Sequence, residues 1–351
     1  MNIKDLLQLT IDKNASDLHL LVGSPPIVRI DGELMSVPNE SFLSPDIVEG
    51  MLKEVMTAEQ LERLLVNKEI DFSLPFSDRG RFRVNAYTQK KSLAAAFRLI
   101  PTAIPTIDSL GLPQVLHTFT TLKQGLILVT GPTGHGKSTS LAAILEEVNS
   151  TRAAHIVTVE DPVEFVFTPK KSIVSQREMN NDTHSWSIAL RSVLREDPDV
   201  VLIGEMRDHE TISSALTIAE TGHLVFATLH TNSAAQTIDR IVDVFPEEQQ
   251  GQVKLQLSNV LEAVISQRLI PGVSGGRVVA HELMFATNAI KTAVREGKTH
   301  QIDSIIQTSS EVGMNTIETS LAELVRDGKI TVETARAYAL RPEHLARLIQ
   351  R

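Results

Sequence analysis

The sequence contains no cysteine among its 351 residues. This absence excludes disulfide bonds and thiolate-bound metals, and it fits a reducing cytosol. No stretch approaches the ~18 apolar residues of a membrane-spanning helix, and the opening MNIKDLLQLTIDK does not have the pattern of a signal peptide. Positive charge is also scarce. The formal net charge of −9 argues against a general nucleic-acid-binding protein, because phosphate binding needs a basic surface.

The length predicts two domains, since about 150 residues per domain is a common size. Hydrophobic residues form 42% of the chain, which allows a large core. We predict a small α+β domain over residues 1–100. Residues 101–113 contain three prolines and little periodicity, so we interpret them as a linker.

Local patterns within residues 1–100 predict its elements. Asn2–Lys13 has the spacing of an amphipathic helix, and Asp31–Gly32 is a two-residue hairpin signal. Ser44 precedes Pro45 as the cap of a helix that we expect to run to Leu64. Three further strands are predicted at Asp71–Leu74, Gly80–Gln89 and Leu93–Ile100.

A glycine-rich segment lies between an apolar run and a helix-forming run. It spans Leu126–Thr139, LILVTGPTGHGKST, and matches the pattern G-x-x-x-x-G-K-[S/T]. Glycines let successive backbone N–H groups face one phosphate, and the following helix points its positive end at that anion. The lysine reaches the β- and γ-phosphates and the serine hydroxyl ligates Mg²⁺. We therefore predict a nucleoside-triphosphate site formed by Gly131, Thr133, Gly134, His135, Gly136, Lys137, Ser138 and Thr139.

Strand-like and helical runs alternate from Gly125 onwards. This order predicts right-handed crossovers, a largely parallel sheet, and a nucleotide at the carboxyl ends of the strands. We assign residues 114–285 to this α/β core and residues 286–351 to an appended helical subdomain. Pro246–Arg268 carries apolar residues at helical spacing and is predicted as one long helix. The predicted strands of the core are Leu126–Thr130, His155–Glu160, Val200–Gly204 and Leu224–Thr228.

Polar side chains follow or flank three of these strands. Glu164 lies on a proline-shaped turn after the second, where a carboxylate could activate water; a surface acid is the alternative. Glu205 follows VVLIG, where an acid that holds Mg²⁺ through water belongs. His230 follows the last strand, at the position of a γ-phosphate sensor. His223 precedes that strand, and for it a packed or capping histidine is a strong alternative.

Arginines form a second group of candidates. Arg81, Arg83 and Arg98 lie on or beside the late strands of the N-terminal domain. They are either a solvated sheet face or include fingers that reach the γ-phosphate on a neighbouring subunit, a contact that contributes ~10³–10⁵ in rate. For Arg191, Arg195 and Arg207, the sequence leaves open ion pairs with nearby aspartates or a place at a subunit interface.

Four segments together resemble the secretion ATPase superfamily of type II secretion and type IV pili, and within it the pilus retraction ATPases. They are GPTGHGKST, TVEDPVEF, LREDPDVVLIGEMRD and TIAETGHLVFATLHTNSA. The similarity extends to the N-terminal ASDLHLLVGSPPIVRIDG and so covers nearly the whole chain.

The resemblance implies a PAS-like N-terminal domain, a RecA-like ATPase domain and a homohexameric ring. Mg²⁺-ATP would lie between the two domains, with arginines supplied by neighbouring protomers. The ring would work at the cytoplasmic face of the bacterial inner membrane, on a platform protein, and retract pili for twitching motility. Carried over by motif, Glu164 is the general base, Glu205 the Walker B acid, and His223 and His230 the histidine-box residues.

Two positions depart from the family pattern. His135 replaces the usual small serine of the phosphate loop; because backbone N–H groups hold the phosphates, we expect binding to survive. The retraction motif AIRNLIRE is here AIKTAVRE, residues 289–296, and an Arg-to-Lys change is not neutral where a planar fork is used. The alternatives are therefore an assembly or type II secretion ATPase, and a low-turnover regulator of a partner motor. A nucleic-acid translocase fits the acidic balance poorly.

Overall fold

A computed structural model describes residues 2–30, 32–76, 80–100 and 103–350. Its contacts divide the chain into an N-terminal unit, Met1–Ala103, and a C-terminal unit, Ile104–Arg351. Within the described residues, no helix has both the length and the apolar character needed to cross a bilayer.

The N-terminal unit is an antiparallel sheet with helices. Its described elements are α1 (Ile3–Asp12), β1 (Asp17–Leu20), β2 (Ile27–Ile30), β3 (Glu33–Ser36), α2 (Pro45–Val55), α3 (Ala58–Asn67), β4 (Glu69–Phe76), β5 (Gly80–Gln89) and β6 (Ser92–Ile100). The strand order is β3-β2-β1-β6-β5-β4, and neighbouring strands run antiparallel. Alternation along β5 buries Phe82, Val84 and Ala86 against the helices.

The single helix predicted from Ser44 to Leu64 is wrong, because the structure has two. Helix α2 ends at Val55, and Thr57 caps α3. The Thr57 hydroxyl accepts from the Gln60 N–H at 3.2 Å, and the Gln60 side chain accepts from the Thr57 N–H at 2.9 Å. This capping box is a helix-start signal inside the predicted helix. Of the predicted Asp31–Gly32 turn, Asp31 lies outside the described residues, and β2 pairs with β3 on either side of it.

The C-terminal unit begins with the 3-10 helix Gln114–Thr121 and continues as alternating strands and helices. Its elements are β7 (Gly125–Thr130), α4 (Lys137–Thr151), β8 (His155–Glu160), β9 (Ile173–Glu178), α5 (Trp186–Val193), β10 (Val200–Ile203), α6 (His209–Glu220), β11 (Leu224–Leu229), α7 (Ala234–Asp243), α8 (Glu247–Val260), β12 (Leu261–Pro271), β13 (Arg277–Phe285), α9 (Asn288–Arg295), α10 (Ile302–Thr308), α11 (Ile317–Arg326), α12 (Val332–Tyr338) and α13 (Pro342–Ile349).

The sheet order is β13-β12-β7-β11-β10-β8-β9. All neighbouring pairs are parallel except β12–β13, which form an antiparallel hairpin. Strands β7, β10 and β11 are buried along their whole length, as expected for a parallel sheet covered on both faces. The carboxyl ends of β7, β8, β10 and β11 therefore meet along one edge, which we call the carboxyl edge.

The long helix predicted over Pro246–Arg268 is also wrong. Helix α8 ends at Val260, and β12 begins at Leu261. Strand β12 pairs with β7 on one side and β13 on the other, so its apolar residues are buried whichever way they point. Its apolar residues Leu261, Val264 and Ile265 also continue the helical spacing of α8, so periodicity alone does not separate the strand from a helix here. Strand β9, at the edge of the sheet, was not predicted.

Candidate nucleotide site

The phosphate loop follows β7 and turns sharply into α4. Its glycines take positive φ angles, 140° at Gly131, 77° at Gly134 and 81° at Gly136. A Cβ at Gly131 would lie 2.3 Å from the carbonyl oxygen of Gln267, so only glycine fits beside β12 there. Gly136 is the N-cap of the 15-residue α4 and supplies no side-chain cap. The first N–H groups of α4 are therefore available to an anion.

Lys137 is buried at the first position of α4. Its ammonium donates to the carbonyl oxygens of Gly131 at 2.9 Å and Pro132 at 3.1 Å, which holds it across the loop. Burial lowers the pKa of Lys137, while the charges of Glu205 and Glu164 act to raise it. Both sequence-predicted acids therefore act electrostatically on the phosphate lysine.

Glu205 and His230 come from neighbouring parallel strands, β10 and β11. His230 Nε2 lies 2.9 Å from Glu205 Oε1, and His230 Nδ1 lies 3.3 Å from Lys137 Nζ. Because the ammonium can only donate, Nδ1 accepts and Nε2 carries the hydrogen that faces the carboxylate. The Thr133 hydroxyl lies 3.2 Å from the same Nδ1. The phosphate loop, the strand-terminal acid and the histidine thus form one connected polar group.

Glu205 also pairs with Arg207, whose Nη2 lies 2.7 Å from Oε2. Burial acts to raise the pKa of Glu205, but the hydrogen bonds and positive charge of Arg207 and His230 outweigh it and hold the pKa below its ordinary value. For Arg207 the predicted alternatives are an ion pair with an aspartate or a place at a subunit interface; the structure shows an ion pair, but with this glutamate, and Asp208 instead caps α6. Glu205 is therefore ionised across the neutral pH range.

Glu160, which ends β8, is the other glutamate of the proline-shaped turn on which a water-activating carboxylate is predicted. It is buried and accepts a hydrogen bond from the Thr158 hydroxyl at 2.6 Å. Burial raises its pKa to about 7, against the hydrogen bonds from Thr158 and Gln176. Glu160 and Ser138 line a small cavity of about 30 Å³. In the sequence, its position at the end of an apolar strand indicates a place at the carboxyl edge.

Glu164 lies on the loop after β8 and is exposed. Its charge acts on both Lys137 and Glu160. The structure therefore brings this acid to the same edge as the phosphate loop, with its side chain open to solvent.

His135 packs towards the β12–β13 hairpin. Its Nδ1 accepts from the Leu269 N–H at 3.0 Å, and its carbonyl oxygen accepts from Gln267 Nε2 at 2.7 Å. Burial and the charges of Arg268, Lys137 and Arg277 lower its pKa. The departure from serine thus adds a side-chain contact that fastens the phosphate loop to β12.

The structure does not bring His223 to this site. It precedes β11, and its carbonyl oxygen accepts from the Gly125 N–H at 3.0 Å, at the opposite edge of the sheet. Its Nδ1 lies 3.0 Å from the Ile218 carbonyl oxygen at the end of α6. A separation of roughly 20 Å follows from the rise of the six-residue strand between His223 and His230.

The three candidate arginines belong to the N-terminal unit, where β5 and β6 pair. Arg83 and Arg98 are cross-strand partners, and Arg81 lies two residues from Arg83 on the same face. Arg98 Nε lies 3.0 Å from Asp17 Oδ1 with 69% of its side chain exposed, and Arg83 lies 3.9 Å from Asp71. Both guanidinium groups remain accessible.

A glycine loop between a buried strand and a helix, a lysine within it and an acid after a neighbouring parallel strand define a P-loop ATPase. The chain matches the family model described as Type II/IV secretion system protein over residues 2–275 and belongs to that family. It is 49% identical to the type IV pilus retraction ATPase PilT of Pseudomonas aeruginosa, over 98% of this chain and 100% of that protein. It is 47% identical to the twitching motility protein of Neisseria gonorrhoeae, over 98% of this chain and 92% of that protein.

A solved structure of the pilus retraction motor PilT with bound ADP has a TM-score of 0.93 to this chain, with 46% identity and 99% of both chains covered. The chain is accordingly an ATPase with a RecA-like P-loop domain preceded by a small α+β PAS-like domain. The fold class and enzyme class expected from the sequence are confirmed.

Proposed function

We propose that this chain is an ATP-driven motor that retracts type IV pili. The observation that carries the proposal is the near-complete match in length and fold to proteins described as pilus retraction motors, at 49% identity to the first of them. The connected group of Lys137, Glu205 and His230 supports turnover, because a protein that only binds nucleotide needs no strand-terminal acid or phosphate sensor.

We assign the roles as follows. The N–H groups of the phosphate loop and Lys137 hold the β- and γ-phosphates. Glu164 accepts a proton from the attacking water, which suits an exposed carboxylate close enough to act on Lys137. His230 senses the γ-phosphate through Lys137: its Nδ1 accepts a hydrogen bond from the ammonium that also binds this phosphate.

Mg²⁺ fits the donors at this edge. The Ser138 hydroxyl and the Glu205 carboxylate are hard oxygen ligands of the kind that Mg²⁺ prefers. Both carboxylate oxygens of Glu205 already face His230 or Arg207, which suits a contact with the metal through water. Ser138 and Glu205 would hold Mg²⁺, which would supply positive charge against the negative charge that develops on the phosphates.

The motor works as a homohexamer at the cytoplasmic face of the bacterial inner membrane, on the pilus platform protein. Arg83 and Arg98, with Arg81 beside them, complete the site of a neighbouring copy. Their shared face and the exposure of Arg98 support this role. His223 lies at the other edge of the sheet, away from the phosphates of its own copy.

The altered retraction motif bears on the direction of work. In AIKTAVRE, Lys291 lies on α9 with its Nζ 3.9 Å from Glu262 Oε1. A lysine can form this pair as a point charge but cannot supply a guanidinium fork to a partner. A pilus assembly or type II secretion ATPase remains the second candidate for this reason.

Deletion of the gene tests the proposal. If the chain retracts pili, cells without it carry more surface pili and lose twitching, and the wild-type gene restores motility while Lys137→Ala does not. Loss of surface pili on deletion would instead assign the chain to assembly. Unchanged piliation and motility would remove both pilus functions.

A further inference from the structure

A buried carboxylate holds the start of α7, the helix that follows the ATPase-site residue His230. Glu282 lies on β13 with its side chain 1% exposed. Its Oε1 accepts a hydrogen bond from the Ala234 N–H at 2.8 Å. Ala234 is the first residue of α7, so the carboxylate lies at the positive end of that ten-residue helix. None of the chemistry assigned above uses this acid.

The segment 230–233 connects that helix end to the ATPase site. At its start, His230 contacts Glu205 and Lys137. At its end, the Ser233 carbonyl oxygen accepts from the Thr237 hydroxyl at 2.7 Å, and the next N–H is held by Glu282. A segment of four residues fixed at both ends has little freedom to move its histidine. Glu282 therefore constrains the segment at the end away from His230.

Glu282 itself lies beside a partly exposed ionic cluster, in which the side chains of Arg341 and Asp303 are 29% and 42% exposed. Arg341, before α13, pairs with Asp303 on α10 at 2.7 Å and with Glu318 on α11 at 3.1 Å. Its Nη2 also lies 3.8 Å from Glu282 Oε2. One guanidinium thus faces three acids, with His344 3.9 Å from Glu318. Arg341 thus places a positive charge near Glu282 without a hydrogen bond to its Oε2 among the described residues.

We propose that Glu282 is a positioning residue for ATP hydrolysis: by holding the Ala234 N–H, it fixes segment 230–233 and keeps His230 aligned between Glu205 and the γ-phosphate. This inference rests on the role proposed above for His230.

Steady-state ATP turnover by the purified full-length chain tests the proposal with a pair of variants. Glu282→Gln keeps an amide oxygen where Oε1 lies, so kcat stays within about 3-fold of wild type. Glu282→Met fills the space but leaves the Ala234 N–H without its acceptor. For that variant kcat falls about 10- to 100-fold with KM for ATP nearly unchanged, because small displacements of reacting groups cost this much.

Glu318→Gln is the matched control. Glu318 is buried beside the same arginine, and within the described residues it contacts Arg341 and His344 rather than α7. Its substitution lowers the melting temperature without lowering kcat. A fall in kcat of the same size for Glu318→Gln as for Glu282→Met would overturn the proposal, because the loss would then reflect general destabilisation.

A double-mutant cycle separates this inference from the role of His230. If Glu282 acts through His230, then Glu282→Met costs no further turnover in a His230→Ala background. Multiplicative losses overturn the inference but leave His230 as a sensor, and full turnover by His230→Ala overturns both. If Glu282→Met does not fold, Glu282→Asp, which withdraws the carboxylate by one methylene, takes its place. No further loss in the His230→Ala background then supports the inference, and multiplicative loss overturns it.

Discussion

Lys137 and His230 are 93 positions apart in the chain, yet Lys137 Nζ lies 3.3 Å from His230 Nδ1. The other ring nitrogen of His230 lies 2.9 Å from Glu205. The residue that binds phosphate, the residue that senses it and the strand-terminal acid therefore form one polar chain. Such a chain makes each member dependent on the others, because buried hydrogen bonds polarise their neighbours.

The first prediction concerns Glu205. Replacing it by glutamine removes the negative charge that faces both His230 and Arg207, and turnover falls about 100-fold or more, as it does when a preorganised charge is removed from an active site. Nucleotide affinity, measured with a fluorescent analogue, changes much less. Glu210→Gln, at an exposed acid on α6, is the matched control. Wild-type turnover by Glu205→Gln would contradict the assignment.

The second prediction concerns arginines supplied by another copy. Arg98→Ala lowers turnover about 10³-fold if it is an arginine finger, while Arg63→Ala, an exposed arginine on α3, does not. Mixing Arg98→Ala with Lys137→Ala protein restores part of the activity, because some sites then pair an intact lysine with an intact arginine. No recovery on mixing, with both variants confirmed in the same oligomers, argues for a role within one copy.

The third prediction concerns His135 and pH. Its folded pKa lies below the unfolded value of about 6.5. The folded state therefore binds fewer protons, so the contribution of His135 is fully present above about pH 6.5 and is lost as the pH falls towards its folded pKa. The melting temperature of wild type relative to that of His135→Ser should therefore fall as the pH is lowered from about 7.5 to about 5.5. The same change at exposed His184 is the control, and a constant difference would contradict the prediction.

The fourth prediction concerns Glu160, whose folded pKa of about 7 is above the ordinary value. The folded state therefore retains a proton that the unfolded chain releases above about pH 4.3. Its stabilising effect is present below that pH and is lost as the pH rises to about 7. Glu160→Gln should accordingly raise the melting temperature of the nucleotide-free protein more at about pH 8 than at about pH 5. An increase in melting temperature that is larger at about pH 5 than at about pH 8 would contradict the prediction. Glu62→Gln, at an exposed acid, is the control.

The parts of the site that the sequence could predict are those with local signals. The phosphate loop is a contiguous motif, and Glu205 and His230 each follow a strand, so a parallel sheet brings them together. Glu282 could not be found this way. Its partner Ala234 is 48 positions distant, and only the pairing of β12 with β13 and β7 brings β13 close to α7.

The errors in the predicted fold have a related cause. The start of β12 is predicted as helix because Leu261, Val264 and Ile265 continue the helical spacing of α8, and a strand covered on both faces lacks the alternation that would oppose this reading. The resemblance pairs His223 with His230 as histidine-box residues, and the strand between them separates their positions across the sheet. In each case a tertiary contact, rather than the local pattern, determines the outcome.

Phosphate release by the purified chain with Mg²⁺ and ATP tests the central claim most directly, comparing wild type, Lys137→Ala and Lys123→Ala. If hydrolysis takes place at the phosphate loop, Lys137→Ala falls to the rate of the buffer blank while Lys123→Ala, at an exposed lysine, matches wild type. Turnover by Lys137→Ala equal to that of wild type would contradict the account.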